Sequence, residues 1–237
     1  MNEQRGVSET VGAILVFAVV VLCLSIYYST HLSQELKRNE LRHREKVEGS
    51  FLHLKESVEG LENGEVSITI SMAPESVSGF LHSPAPRPGR LKVENRGQGS
   101  IQYLSNYTSI PNFSILFEGG AVILVQGNTV SFLSPPSLLR VEDNVVHTRE
   151  YRLRGEANLS ASGEICIRVR SIVTLEENEK VTYTLAPRPE TRLLWQRYLQ
   201  EEGERIGASL EKDEVLILSS ENSWKRTIVE LEVSLGI

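Results

Sequence analysis

Five histidines, His31, His43, His53, His82 and His147, are the first candidates for metal or proton chemistry. None has a second histidine one helical turn away and none sits in an HExxH setting, so their spacing offers no zinc site. Carboxylates are plentiful, but Glu176-Glu177 and Glu201-Glu202 read as solvated turn and helix faces rather than as an acid–base pair. No GxSxG elbow, phosphate-binding loop or dinucleotide fingerprint occurs, and Gly97-Gln98-Gly99 reads as a turn. An enzyme is not expected, nor a cofactor. The spacing does offer sites of modification. Asn106-Tyr107-Thr108, Asn112-Phe113-Ser114 and Asn158-Leu159-Ser160 are acceptor triplets for N-linked glycans, provided their segment faces the outside. Two cysteines complete the reactive set, Cys23 in an apolar stretch and Cys166 in a strand-like segment. A disulfide needs Cα atoms about 4.4–6.8 Å apart. With one cysteine in a bilayer and the other in a folded domain, both are read as small buried hydrophobes.

The elements that must carry these residues come next. A 237-residue chain with 40% hydrophobic and 24% charged residues has the balance of a folded protein rather than a disordered one. The net charge of −6, with Lys and Arg interleaved among Asp and Glu, gives no basic patch, so a nucleic-acid partner is not expected.

From Thr10 to Thr30 there is no charged residue. At about 1.5 Å per residue this run matches a hydrocarbon core of roughly 30 Å. Tyr27 and Tyr28 close it with rings suited to the membrane interface. A discarded secretory signal would have a shorter apolar core and a small-residue cleavage site after it; here Leu22-Cys23-Leu24-Ser25-Ile26-Tyr27-Tyr28 is bulky. Arg5 alone precedes the helix, whereas Lys37, Arg38, Arg42, Arg44 and Lys46 follow it, interleaved with Glu35, Glu40, Glu45 and Glu48. Charge alone would therefore keep the bulk of the chain on the cytoplasmic side.

The segment Arg5-Gly6-Val7-Ser8-Glu9-Thr10-Val11-Gly12 resembles the start of archaeal type IV pilin-like proteins: a short charged leader ending in a basic residue and Gly, a polar start, then an apolar helix. The resemblance covers about the first thirty residues. It implies cleavage by a prepilin peptidase between Gly6 and Val7, a retained helix, and a head outside the cell, which reverses the charge argument. Glu9 would be the third mature residue, whereas bacterial pilins carry a Glu at the fifth, so their subunit register does not carry over.

Beyond Tyr28 the helical pattern continues. Leu32 and Leu36 are one turn apart, and Val47, Phe51, Leu54, Val58 and Leu61 form a one-sided apolar stripe. Between them Glu35 to Lys46 is very polar, with Glu40 and Arg44 at i,i+4. Asn63-Gly64 reads as the helix stop. The stripe predicts the face on which a head domain packs, with a coiled-coil seam as the alternative.

Strand signals follow. Glu65 to Ser71, Ile165 to Arg170, Val181 to Leu185 and Thr227 to Val233 carry them, and Phe113–Phe117 with Ala121–Val125 read as a hairpin about Glu118-Gly119-Gly120. One helix interrupts them, near Thr191 to Arg205, with Leu194, Trp195, Tyr198 and Leu199 on one side. Ser83 to Leu91 reads as a polyproline-like connection, and the Ala-Pro-Arg-Pro of its middle recurs at Ala186 to Pro189, read as a second linker between strands, with a duplicated half-domain as the alternative.

The expected organisation is α+β: a leader over 1–6, a transmembrane helix over 7–30, a helical stalk over 31–62, and a mainly β, sandwich-like extracellular head with one late helix over 63–237. Two functions fit it. One is a pilin-like structural subunit of the cell envelope with the membrane, a prepilin peptidase and other pilin-like subunits or envelope proteins as partners. The other is a single-pass anchored extracellular binding or adhesion module that does not polymerise.

Overall fold

A computed structural model describes residues 3–76, 87–142, 145–178, 182–212, 215–219 and 224–236. Helix α1 runs unbroken from Glu3 to Gly60, 58 residues, and so is about 87 Å long at about 1.5 Å per residue. It begins inside the expected leader and stops at Gly60, short of the Asn63-Gly64 signal. Asn63 does a different job: its Oδ1 accepts from the Val173 backbone N–H at 3.0 Å.

The strands, in chain order, are β1 (Gly64–Ser71), β2 (Gly89–Glu94), β3 (Ser100–Leu104), β4 (Phe113–Glu118), β5 (Ala121–Gln126), β6 (Thr129–Ser134), β7 (Leu139–Glu142), β8 (Val145–Arg154), β9 (Ala157–Ala161), β10 (Glu164–Asn178) and β11 (Thr182–Leu185). After helix α2 (Arg192–Ile206) come β12 (Ser209–Lys212), β13 (Leu216–Ser219) and β14 (Trp224–Gly236). Among the described residues they form a five-stranded sheet β1-β10-β14-β8-β7, a six-stranded sheet β6-β5-β4-β3-β2-β9 and a three-stranded sheet β11-β13-β12. The domain after α1 is thus mostly β with one later helix, as the sequence predicts. Among the described residues all strand pairs are antiparallel except β14 with β8, which is parallel.

Alternation aligns the apolar faces. Val66, Ile68 and Ile70 of β1 lie opposite Val169, Ile167 and Ile165 of β10, and α1 lies against β1, β4 and β5. The stripe of α1 closes this core: Val47, Phe51, Leu54 and Val58 are fully buried, each side chain contributing about 1.5–3 kcal/mol by burial. That settles the stripe as a head-packing face. Leu61 lies just past the helix and is half-buried. Gly119-Gly120 turns β4 into β5 with φ of 57° and 80°, the two left-handed positions of a tight hairpin.

Several expectations are corrected. Ser83 to Pro86 lie outside the described residues, but Gly89 to Leu91, expected to be extended connection, open β2. The second Ala-Pro-Arg-Pro is a clamp rather than a passive linker. Arg188 donates to Gln102 Oε1 at 2.7 Å and pairs with Glu94 at 3.2 Å and Glu190 at 3.0 Å. It leads into Glu118, a carboxylate only 3% exposed at the end of β4. Its Oε1 accepts from the Arg188 backbone N–H at 3.0 Å; Oε2 accepts from Thr191 Oγ1 at 2.6 Å and Trp195 Nε1 at 2.9 Å. Glu118 thereby fastens the start of α2 to the six-stranded sheet, with Trp195 and Leu199 buried beneath and Leu194 and Tyr198 packed beside them. Cys166 is half-buried in β10, and Cys23, expected to be buried, stands exposed on α1; both are free thiols.

Candidate functional site

The N-terminal half of α1 is apolar from Val11 to Ile26 and is not covered by the rest of the described residues. Every residue from Val11 to Ile26 is exposed, Phe17 at 70% and Val21, among the lowest of the large apolar side chains there, still at 44%. Its hydroxyls are satisfied within the helix: Ser25 Oγ donates to the Val21 carbonyl at 2.8 Å and Thr30 Oγ1 to those of Ile26 and Tyr27 at 3.0 and 2.9 Å. A helix with its backbone and hydroxyl groups bonded internally meets the requirement for sitting in lipid. By length and composition it can cross a membrane. Arg5, Gly6 and Val7, the expected cleavage site, lie in the first turns of this helix.

A polar collar grips the same helix where it enters the head. Asn39 Nδ2 donates to the Glu75 carbonyl at 3.2 Å, and Lys46 pairs with the Glu75 carboxylate at 2.9 Å. Glu40, 7% exposed, accepts from the backbone N–H groups of Thr108 and Ser109 at 2.7 and 2.8 Å, and from the Ser109 hydroxyl. The expected Glu40–Arg44 pair does not form, because this loop offers Glu40 three converging donors; Arg44 turns to Glu48 at 2.6 Å instead and lies over the Phe113 ring.

One turn on, His43 Nε2 lies 3.0 Å from the Ser71 carbonyl and Nδ1 2.6 Å from the Tyr107 hydroxyl. A carbonyl only accepts, so Nε2 carries the proton and Nδ1 accepts from Tyr107. Burial, partly opposed by the Ser71 bond and helped by the nearby Lys46 charge, holds the His43 pKa below its ordinary value. Burial also raises the Tyr107 hydroxyl far above the usual range and Tyr103 to about 12.

This arrangement carries a pH signature. The unfolded histidine takes up a proton near its ordinary pKa of about 6.5, while the folded one resists it to lower pH. The unfolded state therefore binds more protons between the two values, and stability falls as pH drops through that window. We expect the thermal unfolding midpoint to decline from pH 7 to pH 5, and His43→Gln, which keeps one donor and one acceptor, to flatten that decline. An equal slope in the variant would assign the acid sensitivity elsewhere.

In the sequence Glu40 reads as half of an i,i+4 pair and His43 as a histidine without metal-site spacing, and neither reads as buried. Yet they continue the spacing of Val47, Phe51, Leu54 and Val58 backwards along the helix, and a polar residue in phase with a buried stripe is the signal that finds them.

The acceptor asparagines differ. Asn106 donates its Nδ2, the atom a glycan would occupy, to the Pro88 carbonyl at 2.8 Å, and Tyr107 behind it is buried. Asn112 is exposed with φ of 55°, and the next two residues, Phe113 and Ser114, are buried. Asn158 is exposed on β9, at the edge of the six-stranded sheet. No protein-family model matches the chain, and no curated protein or solved structure matches it.

Proposed function

We propose that the chain is a single-pass membrane protein of the archaeal type IV pilin-like kind. In this reading a prepilin peptidase cuts between Gly6 and Val7, α1 stays in the membrane or joins other pilin-like subunits, and a sandwich-like head lies outside the cell as a structural part of the envelope. One observation carries it: a single helix is apolar and uncovered on all sides near its start, then locked into a β domain over its last turns. An uncovered apolar helix in water is costly at about 25 cal/mol per Å², so it must lie in lipid or against other helices. The Arg5-Gly6 junction lies in the first turns of that helix, before its apolar run, where trimming would leave the anchor intact. The sequons would then face the compartment where glycans are added. An anchored binding module is the second reading, favoured by the groove described below.

The test is the mature N-terminus. With a prepilin peptidase co-expressed, the intact mass should correspond to a chain starting at Val7. Gly6→Trp, which crowds the bond the peptidase must approach, should lower the processed fraction about hundredfold. A wild-type chain still starting at Met1 would refute the processing step.

A further inference from the structure

The six-stranded sheet has a second face. Phe113 and Tyr103 turn toward α1, where Arg44 covers one ring and His43 meets the other. Alternation sends Gln102, Leu104 and Ser114 to the opposite side. There they floor an open groove of about 580 Å³, within the range of small-ligand sites.

Its lining is rich in groups that read hydroxyls. Gln102, only 6% exposed, uses Oε1 for Arg188 and keeps its amide hydrogens for the groove. Asn106 has its Nδ2 engaged by Pro88, which leaves its carbonyl oxygen as an acceptor. The Ser114 hydroxyl joins them, and Leu104 and Val125 supply apolar floor of the kind that receives the C–H face of a sugar ring. Charge then narrows the ligand. Glu190 at the rim is held by Arg188, whereas Arg90 makes no ion pair among the described residues.

The fold also gathers here what the sequence scatters. Asn106 and Asn112 line the groove, and Asn158 lies in register with Lys92 on the same face.

We propose that this groove binds an oligosaccharide bearing a carboxylate, with Arg90 meeting the carboxylate and the amides and hydroxyl meeting the ring hydroxyls. The inference goes beyond the membrane reading and does not depend on which side of the membrane the head occupies.

Full-length protein in phosphatidylcholine nanodiscs, made in a host that adds no N-glycans, is titrated calorimetrically with tetragalacturonate and with maltotetraose as the uncharged counterpart. Tetragalacturonate should bind about tenfold more tightly, and Arg90→Ala should remove that advantage. Val125→Trp, which fills the floor, should abolish binding, with Ser160→Tyr at the groove's edge as a second occluding variant if the first does not fold. Lys92→Ala, on the same face but outside the lining, should change nothing. The proposal is overturned if tetragalacturonate does not bind, if it binds occluded and wild-type protein alike, or if Lys92→Ala weakens it as much as Arg90→Ala does.

Discussion

Replacing Glu118 by alanine should lower the unfolding free energy by about 3–5 kcal/mol, the cost of leaving buried donors without their acceptor. Three donors converge on this carboxylate: the Arg188 N–H, the Thr191 hydroxyl and the Trp195 indole. Alanine leaves the Arg188 N–H and the Trp195 indole without their acceptor, at about 1–3 kcal/mol for each group that cannot relax, while the Thr191 hydroxyl can turn to the Arg188 carbonyl, 3.2 Å away. Glutamine keeps the shape but turns an amide hydrogen toward a donor, so its cost should be smaller than that of alanine. The effect should be local at first, because Glu118 fastens the start of α2. Trp195, fully buried and bonded to this carboxylate, is a natural fluorescence reporter. Denaturant titration of the full chain in mild detergent would measure the change, and an alanine variant that unfolds at the wild-type midpoint would show that Glu118 is not the fastening.

Phe51→Ala should be of the same size, about 3–5 kcal/mol, for a different reason. Phe51 is fully buried where α1 meets the head, between Val47 and Leu54, which are also fully buried. Truncation removes apolar contact and leaves a cavity between a helix and strands that cannot close over it. Phe17→Ala is the matched control: the same residue type on the same helix, but 70% exposed. It should leave head stability within about 0.5 kcal/mol. Limited proteolysis distinguishes the two, since loosening α1 from β1 should expose the polar segment from Glu35 onward to cleavage. Equal protease resistance in both variants would contradict the packing role of the stripe.

Much of the architecture was legible because burial and periodicity coincide. β1 and β10 alternate cleanly, having one apolar and one charged face. The Gly119-Gly120 hairpin announced itself through its turn chemistry, and α2 through a cluster of aromatic and aliphatic residues. Other strands were hidden for identifiable reasons. β4 is buried on both faces and β3 nearly so, which erases alternation. β8 carries Thr148 and Glu150, polar yet almost fully buried, where Glu150 is satisfied by Arg152 and Arg226. β2 was concealed by its neighbouring prolines. Its first residue is glycine because a Cβ there would stand 2.4 Å from the Tyr103 hydroxyl. The partners of the collar and the groove lay beyond the sequence. Glu40 finds its partners in a loop far along the chain, and a groove lined by five strands exists only once their register is set.

The unbroken run of α1 from the apolar half into the head has a geometric consequence. With no hinge between the apolar half and the collar, the helix behaves as an indexed shaft, each residue advancing the head by about 1.5 Å and turning it by about 100° about the axis. One residue inserted between Leu32 and Leu36 would swing the groove-bearing side of the head by more than a quarter turn relative to whatever holds the apolar half. Seven would return it to within about 20° of its starting azimuth, displaced outward by about 10 Å. The length of the polar stalk is therefore a setting of direction as well as of distance.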